Sequence, residues 1–214
     1  MWYGFEPDDF FAFEQTDIYF RIEYIKNHLH PRLRALGDQI RKYFLENNIH
    51  LRHQLRSGRW YKMPIWTHVS LIALEEERRS DPKRPRLSVY IDEKRVIAGF
   101  CHTLWRPEWK KVCKDEPALI EVIDSTARSG ELQIGILHRT ERGVGEIFAF
   151  SKASDALAAT AQAKQDFLFV GSLYPWPDQQ QLLCSPSFLP SAQKAMISAW
   201  PIYEYAFYIA PVLL

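Results

Sequence analysis

Residues 45–56 read Leu-Glu-Asn-Asn-Ile-His-Leu-Arg-His-Gln-Leu-Arg, and the hydrophobic period changes within them. Upstream, Ile18, Ile22, Ile25, Leu29, Leu33, Leu36, Ile40 and Tyr43 recur three and four apart, the stripe of an amphipathic helix. Asn47-Asn48 is a turn pair that ends it. Downstream, Ile49, Leu51, His53 and Leu55 alternate with His50, Arg52, Gln54 and Arg56, so a strand begins whose two faces differ chemically. Pro31 interrupts the helical stripe by removing one backbone donor. It predicts a kink, or two helices that meet with Pro31 near the start of the second.

Working outward, period-two or compact apolar runs predict strands at Ile65–Leu74, Arg86–Ile91, Val96–Cys101, Glu131–His138, Gly145–Phe150 and Phe167–Leu173. Asp92–Arg95 reads as a hairpin connection. Pro117–Ser129, with Gly130 as its stop, predicts a helix, as do Ser154–Lys164 and Pro190–Ala210, the last interrupted near Pro201. Ser80–Arg86 and Tyr174–Gln181 are polar, proline-containing loops, and no repeat or Gly/Ser-rich linker divides the chain. The expectation is an α+β fold in one domain spanning residues 1–214, with N-terminal helices packed on a mainly antiparallel sheet and further helices in the C-terminal half.

Composition narrows the function classes. The 214 residues are 47% hydrophobic and 25% charged with a net charge of +1, which suits a globular chain and not a basic arm or an acidic tail. Three cysteines without a C-x-x-C pair argue against a disulfide framework or a zinc ribbon, and point to a reducing, cytoplasmic setting. The first twenty residues hold five acids and no Lys or Arg, unlike a secretory peptide. Residues 195–214 are apolar, but Pro201, Pro211, Glu204 and three tyrosines favour a buried terminal helix over a membrane span.

Charge is distributed unevenly. Residues 21–62 hold ten bases against three acids, densest over Asn47–Lys62. Arg52 and Arg56 project from one strand face, and Arg59, Trp60, Tyr61 and Lys62 follow what reads as a Ser57-Gly58 turn. Guanidinium forks grip phosphate or carboxylate, and Trp60 or Tyr61 offers a stacking surface, so the six form a candidate anion site. The plain alternative is a solvated strand face paired with the acidic N-terminal segment. His53 stands with the apolar set, where it is either a satisfied core histidine or a partly buried acid/base.

Several chemistries lack their signatures. His28/His30 and His50/His53 are spaced onto different faces, and Cys101, His102 and Cys113 lack zinc-finger partners, so no metal site is expected. There is no G-x-S-x-G or H-E-x-x-H motif and no phosphate loop, and Gly143-Val144-Gly145 is too short for a dinucleotide fingerprint. No cofactor is expected.

The first 90 residues resemble the YktB-like family of uncharacterised bacterial proteins. Phe5-x-x-x-Asp9-Phe10-x-x-Phe13 is similar to that family's opening, and His30-Pro31-Arg32-Leu33-Arg34-Ala35-Leu36-Gly37 to its helix with an embedded Pro and closing Leu-Gly. Arg52-His53-x-x-Arg56 is similar to its basic strand, with Ser57 where a second arginine is usual; Pro85-x-Leu87 resembles a later strand opening. The resemblance implies a bacterial α+β protein and supplies no activity. Three functions stay open. One is a module binding an anionic ligand, nucleic acid included, through the basic strand. Another is a small enzyme on an anionic substrate with His53 as acid or base. The third is a scaffold that oligomerises through aromatic Trp200–Tyr208, which would need an exposed patch there.

Overall fold

A computed structural model describes residues 2–60, 63–73, 86–103, 117–140, 143–160 and 167–208, with backbone alone at 56–60, 63–65, 72–73, 102–103, 138–140, 143–144, 160, 167 and 207–208. The fold is α+β. It opens with a short helix α1 (Pro7–Phe11), then α2 (Ile18–Tyr24), capped by the Asp17 carboxylate on the Tyr19 amide at 2.8 Å. One π turn, Ile25–Leu29, joins α2 to α3 (His30–Glu46). Pro31 lies in the first turn of α3, and the His30 N–H reaches back five residues to the Ile25 carbonyl. The wider turn accommodates the missing proline donor, so the expected meeting of two helices takes this form.

Seven strands follow the helices in one antiparallel sheet: β1 (Leu51–Trp60), β2 (Met63–Ala73), β3 (Arg86–Ile91), β4 (Arg95–Thr103), β5 (Gln133–Thr140), β6 (Gly143–Phe150) and β7 (Phe167–Pro175). Their spatial order is β1-β2-β3-β4-β7-β5-β6. The Ser57-Gly58 turn expected from sequence is absent. β1 continues through Ser57↔Thr67 and Gly58↔Trp66, and the register shifts between Gly58 and Arg59. The extra residue is Ile65 of β2, so the bulge lies in the partner strand and β1 runs on through Gly58. The Asp92–Arg95 connection does form, with the Asp92 N–H donating to the Arg95 carbonyl at 3.1 Å and the Lys94 N–H to Asp92 Oδ1 at 2.7 Å.

The remaining helices are α4 (Pro117–Ser129), α5 (Ala153–Thr160), α6 (Gln180–Leu183), α7 (Phe188–Ser198) and α8 (Trp200–Tyr208). The break before Pro201 falls at Ala199, and residues 161–164 of the expected 154–164 helix lie outside the described residues. No helix among the described residues is long and apolar enough to cross a membrane.

One face of the sheet carries Leu51, Val69, Leu71, Leu87, Val89, Ile91, Val96, Ala98, Phe100, Ile134, Ile136, Leu168 and Val170 into the main core. The helices cover this face through Leu29, Leu33, Leu36, Ile40, Phe44, Phe188 and Tyr203. Residues from Trp2 to Ala206 contribute to this core. Phe10 lies flat on Trp176 at 4.1 Å, and Arg32 pairs with Glu6 and with the buried Asp9 carboxylate at 2.7 Å, tying the N terminus to α3. Burial pushes the Asp9 carboxyl up, opposed by the Glu6 N–H and the Arg32 charge.

The sheet also curls. The far edge strand β6 comes into contact with β2, and the Arg95 guanidinium on β4 donates to the Gly145 carbonyl on β6 at 3.1 Å. Close strand approach demands glycine at two crossing points. A Cβ on Gly171 would meet the Ala98 carbonyl oxygen at 2.2 Å, and one on Gly135 would meet the Phe169 ring at 2.4 Å. The concave face holds a second, smaller core of Trp66, Tyr90, Ile97, Cys101, Leu137 and Phe169.

Candidate functional site

The alternation of β1 decides where its residues go. Leu51 is buried in the helix-side core and Leu55 packs on it, which places Arg52, Gln54 and the Arg56 position on the concave side. There they meet residues that sequence reasoning did not single out. Pairing sets Gln54 opposite Ser70 and Arg56 opposite His68, and in turn Ser70 opposite Ser88 and His68 opposite Tyr90. Arg86 and Gln54 are joined directly, the guanidinium donating to Gln54 Oε1 at 3.1 Å. The Ser70 and Ser88 hydroxyls are 2.9 Å apart.

This face is polar and buried at once. His68 is 5% exposed, Arg86 7%, Ser70 and Ser88 no more than 1%. His68 lies parallel to the Trp66 ring, 5.1 Å between centroids, and Trp66 leans on Tyr90 at 5.6 Å. Farther along, Asp92 is fully buried with Arg95 Nε at 3.5 Å from Oδ2. Burial pushes the Asp92 carboxyl up to about 6 against the Arg95 charge and the hydrogen bonds from the Lys94 amide and Tyr90. Cys101, on the same face, is a free thiol raised by burial.

The row running across the face therefore has two ends. Arg52, Gln54 and Arg86 form a basic end at the starts of β1 and β3; Trp66, Tyr90, Asp92 and Arg95 form an aromatic and ion-paired end farther along the strands. A buried guanidinium makes stronger charge-assisted hydrogen bonds than an exposed one, because desolvation strengthens them.

Of the predicted anion-site residues, Arg52 is half-buried on the concave side. Arg56, Arg59 and Trp60 hold register positions opposite His68, Pro64 and Met63, with side chains outside the described residues; Tyr61 and Lys62 lie outside them altogether. His53 belongs to the other face. Its Nδ1 is 3.2 Å from Asp38 Oδ1 on α3, and Gly37 lets α3 approach the sheet there, since a Cβ on it would come 2.7 Å from Val69 Cγ2. The sheet thus separates His53 from Arg52 and the Arg56 position, and supplies Asp38 and the neighbouring Arg41 instead.

In the C-terminal segment the aromatic side chains among the described residues point inward. Tyr203 is fully buried, and Trp200 and Tyr205 pack against the main core; the side chain of Tyr208 lies outside the described residues. Among the described residues no group of three or more His, Cys, Asp or Glu side chains could hold a metal ion. His28 instead stacks on Tyr24, and His30 Nε2 is 3.1 Å from the Thr67 hydroxyl, where burial and then the Arg34 charge push the imidazole down.

The missed residues carry a signal in the sequence. Trp66, His68 and Ser70 alternate with Thr67, Val69 and Leu71, and Arg86, Ser88 and Tyr90 with Leu87, Val89 and Ile91. Sequence shows each polar set; only the pairing shows that the sets adjoin. No family model matches the chain. No curated protein matches it either.

Proposed function

We propose that the chain is a binding module for a compact anionic ligand, held at the basic end of the concave sheet face. The observation that carries this reading is the Arg86–Gln54 hydrogen bond, which links β3 to the strand bearing Arg52 and Arg56 and sets a buried guanidinium beside that strand's basic face. Guanidinium groups in a low-dielectric setting are strong hosts for phosphate or carboxylate. The buried polar row with His68 makes a small ligand fit better than an extended strand of nucleic acid, whose phosphates need an exposed track. A cytoplasmic, bacterial setting and the YktB-like relation belong to the same proposal and add no activity to it.

The test pairs two probes. Binding of inorganic phosphate is followed by calorimetry, and binding of labelled single-stranded RNA and DNA by fluorescence anisotropy at about 50 and 200 mM salt. Saturable phosphate binding that weakens about tenfold in Arg52→Ala and in Arg86→Met supports the compact-anion reading. Steeply salt-dependent binding of RNA or DNA, lost in Arg52→Ala/Arg56→Ala, would replace the compact ligand with nucleic acid. Absence of both ends the proposal.

The His53–Asp38 contact favours a second reading, a small enzyme on an anionic substrate. Asp38 orients the imidazole through Nδ1 and leaves Nε2 to move a proton, and Arg41 supplies a cation on the same side of the sheet. Turnover of a phosphate or carboxylate ester that His53→Gln abolishes and Arg52→Ala leaves intact would select it.

A further inference from the structure

A cleft of about 330 Å³ opens between α4 and the β5–β6 hairpin, sharing no residue with the basic face. That is the size of a site for one small molecule. Its apolar wall is Leu132, Ile134 and Phe150. Leu132 is held by its amide on the Ala127 carbonyl at 2.8 Å, and Ile134 is paired with Phe150 across the hairpin, so this wall is rigid backbone on both sides.

Two opposite charges line the same cleft. Asp124 and Arg128 stand one turn apart on α4, yet no ion pair joins them. Asp124 is positioned by its Oδ1, which accepts from the Ala153 N–H at 2.6 Å and so fixes the start of α5; its Oδ2 is uncommitted. Arg128 is exposed and makes no ion pair or hydrogen bond among the described residues, in contrast to Arg32, Arg86 and Arg95.

We infer that this cleft binds an apolar α-amino acid as its zwitterion, with the carboxylate on Arg128, the ammonium on Asp124 Oδ2 and the side chain against Leu132, Ile134 and Phe150. Only a ligand bearing both charges close together answers both groups. A simple carboxylate would place its charge beside Asp124, and a simple amine would place its charge beside Arg128, at a cost in each case. The volume admits one residue-sized body, and the apolar wall rewards a branched or aromatic side chain.

The experiment is an NMR titration of the full chain, isotopically labelled, with L-leucine, 4-methylpentanoate and isopentylamine. Leucine should give saturable shifts at the amides of Ala127–Leu132 and Phe150, and the two half-ligands should bind about tenfold more weakly or not at all. Arg128→Gln, at an exposed position, should weaken leucine binding about tenfold. Asp124→Asn keeps an oxygen for the Ala153 N–H and should erase the preference for leucine over 4-methylpentanoate. Linear, unsaturated shifts, equal binding of leucine and 4-methylpentanoate to the parent chain, or full affinity in Arg128→Gln would each overturn the inference. The phosphate-binding residues lie elsewhere, so either result leaves the preceding proposal to its own test.

Discussion

Leu87, Val89 and Ile91 of β3 face the helices, Arg86, Ser88 and Tyr90 face the concave side, and all six are buried. On the first face burial itself is the stabilising event, at about 25 cal/mol for each Å² of apolar surface removed from water. On the second, each polar atom taken from water must find a partner or lower stability by about 1–3 kcal/mol. Arg86 uses Gln54, Ser88 uses Ser70, and Asp92 uses Arg95 and the Lys94 amide. A sheet buried on both sides for stability alone would be apolar on both. The contrast teaches that the concave side is arranged around its polar groups.

The comparison can be broken most forcefully from the apolar side. Phe100→Ala removes a ring that is 1% exposed on the helix-covered face, and should lower unfolding stability by about 3–5 kcal/mol in urea titration. A loss below about 1 kcal/mol would mean that this face collapses freely and is not the stabilising one.

Asp92 gives the next largest effect and carries a sign. Its carboxyl is held at about 6, above the ordinary 3.8, so the folded chain grips the proton more tightly than the unfolded chain does. The stabilisation is therefore complete below about pH 4 and is lost as pH rises through about 6, a span on the order of 3 kcal/mol. Asp92→Asn should flatten this slope relative to the parent, with urea midpoints measured between pH 4 and 7. Parallel curves for parent and variant would show that Asp92 is solvated and the concave face open to water at that end.

The smallest effect sharpens the contrast. Ser88→Val leaves the buried Ser70 hydroxyl without its partner and should cost about 1–2 kcal/mol, whereas Ser70→Val/Ser88→Val together should be near neutral. A double-mutant cycle with no coupling would mean that the two hydroxyls, 2.9 Å apart, do not support one another.

Much of this fold was legible. Each of the seven segments that read as strands coincides with a strand among the described residues, because alternation is written into each segment by backbone pleating alone. The α4 end at Ser129 matches the Gly130 stop, and Pro117 is its first described residue. Helix α1 was not legible by periodicity, since five residues are too few, although Glu6-Pro7-Asp8-Asp9 holds the signal: Pro at the first position and an Asp9 carboxylate that accepts the Glu6 N–H at 2.8 Å. The Ser57-Gly58 pair reads as a turn in sequence and lies inside β1, because pairing with Thr67 and Trp66 of β2 carries the strand through it.

For the site, strand alternation alone tells which residues share a face: Arg52 with Gln54 and Arg56, His53 with Leu51 and Leu55. What those faces meet is set by contacts between segments far apart in the chain. Arg86 reaches Gln54 across 32 positions of sequence, Asp38 reaches His53 from a helix, and Arg95 reaches Gly145 because the sheet curls. Side-chain direction follows from two local dihedrals at each residue, whereas neighbours depend on strand order and on burying one shared core, which no short stretch of chain encodes.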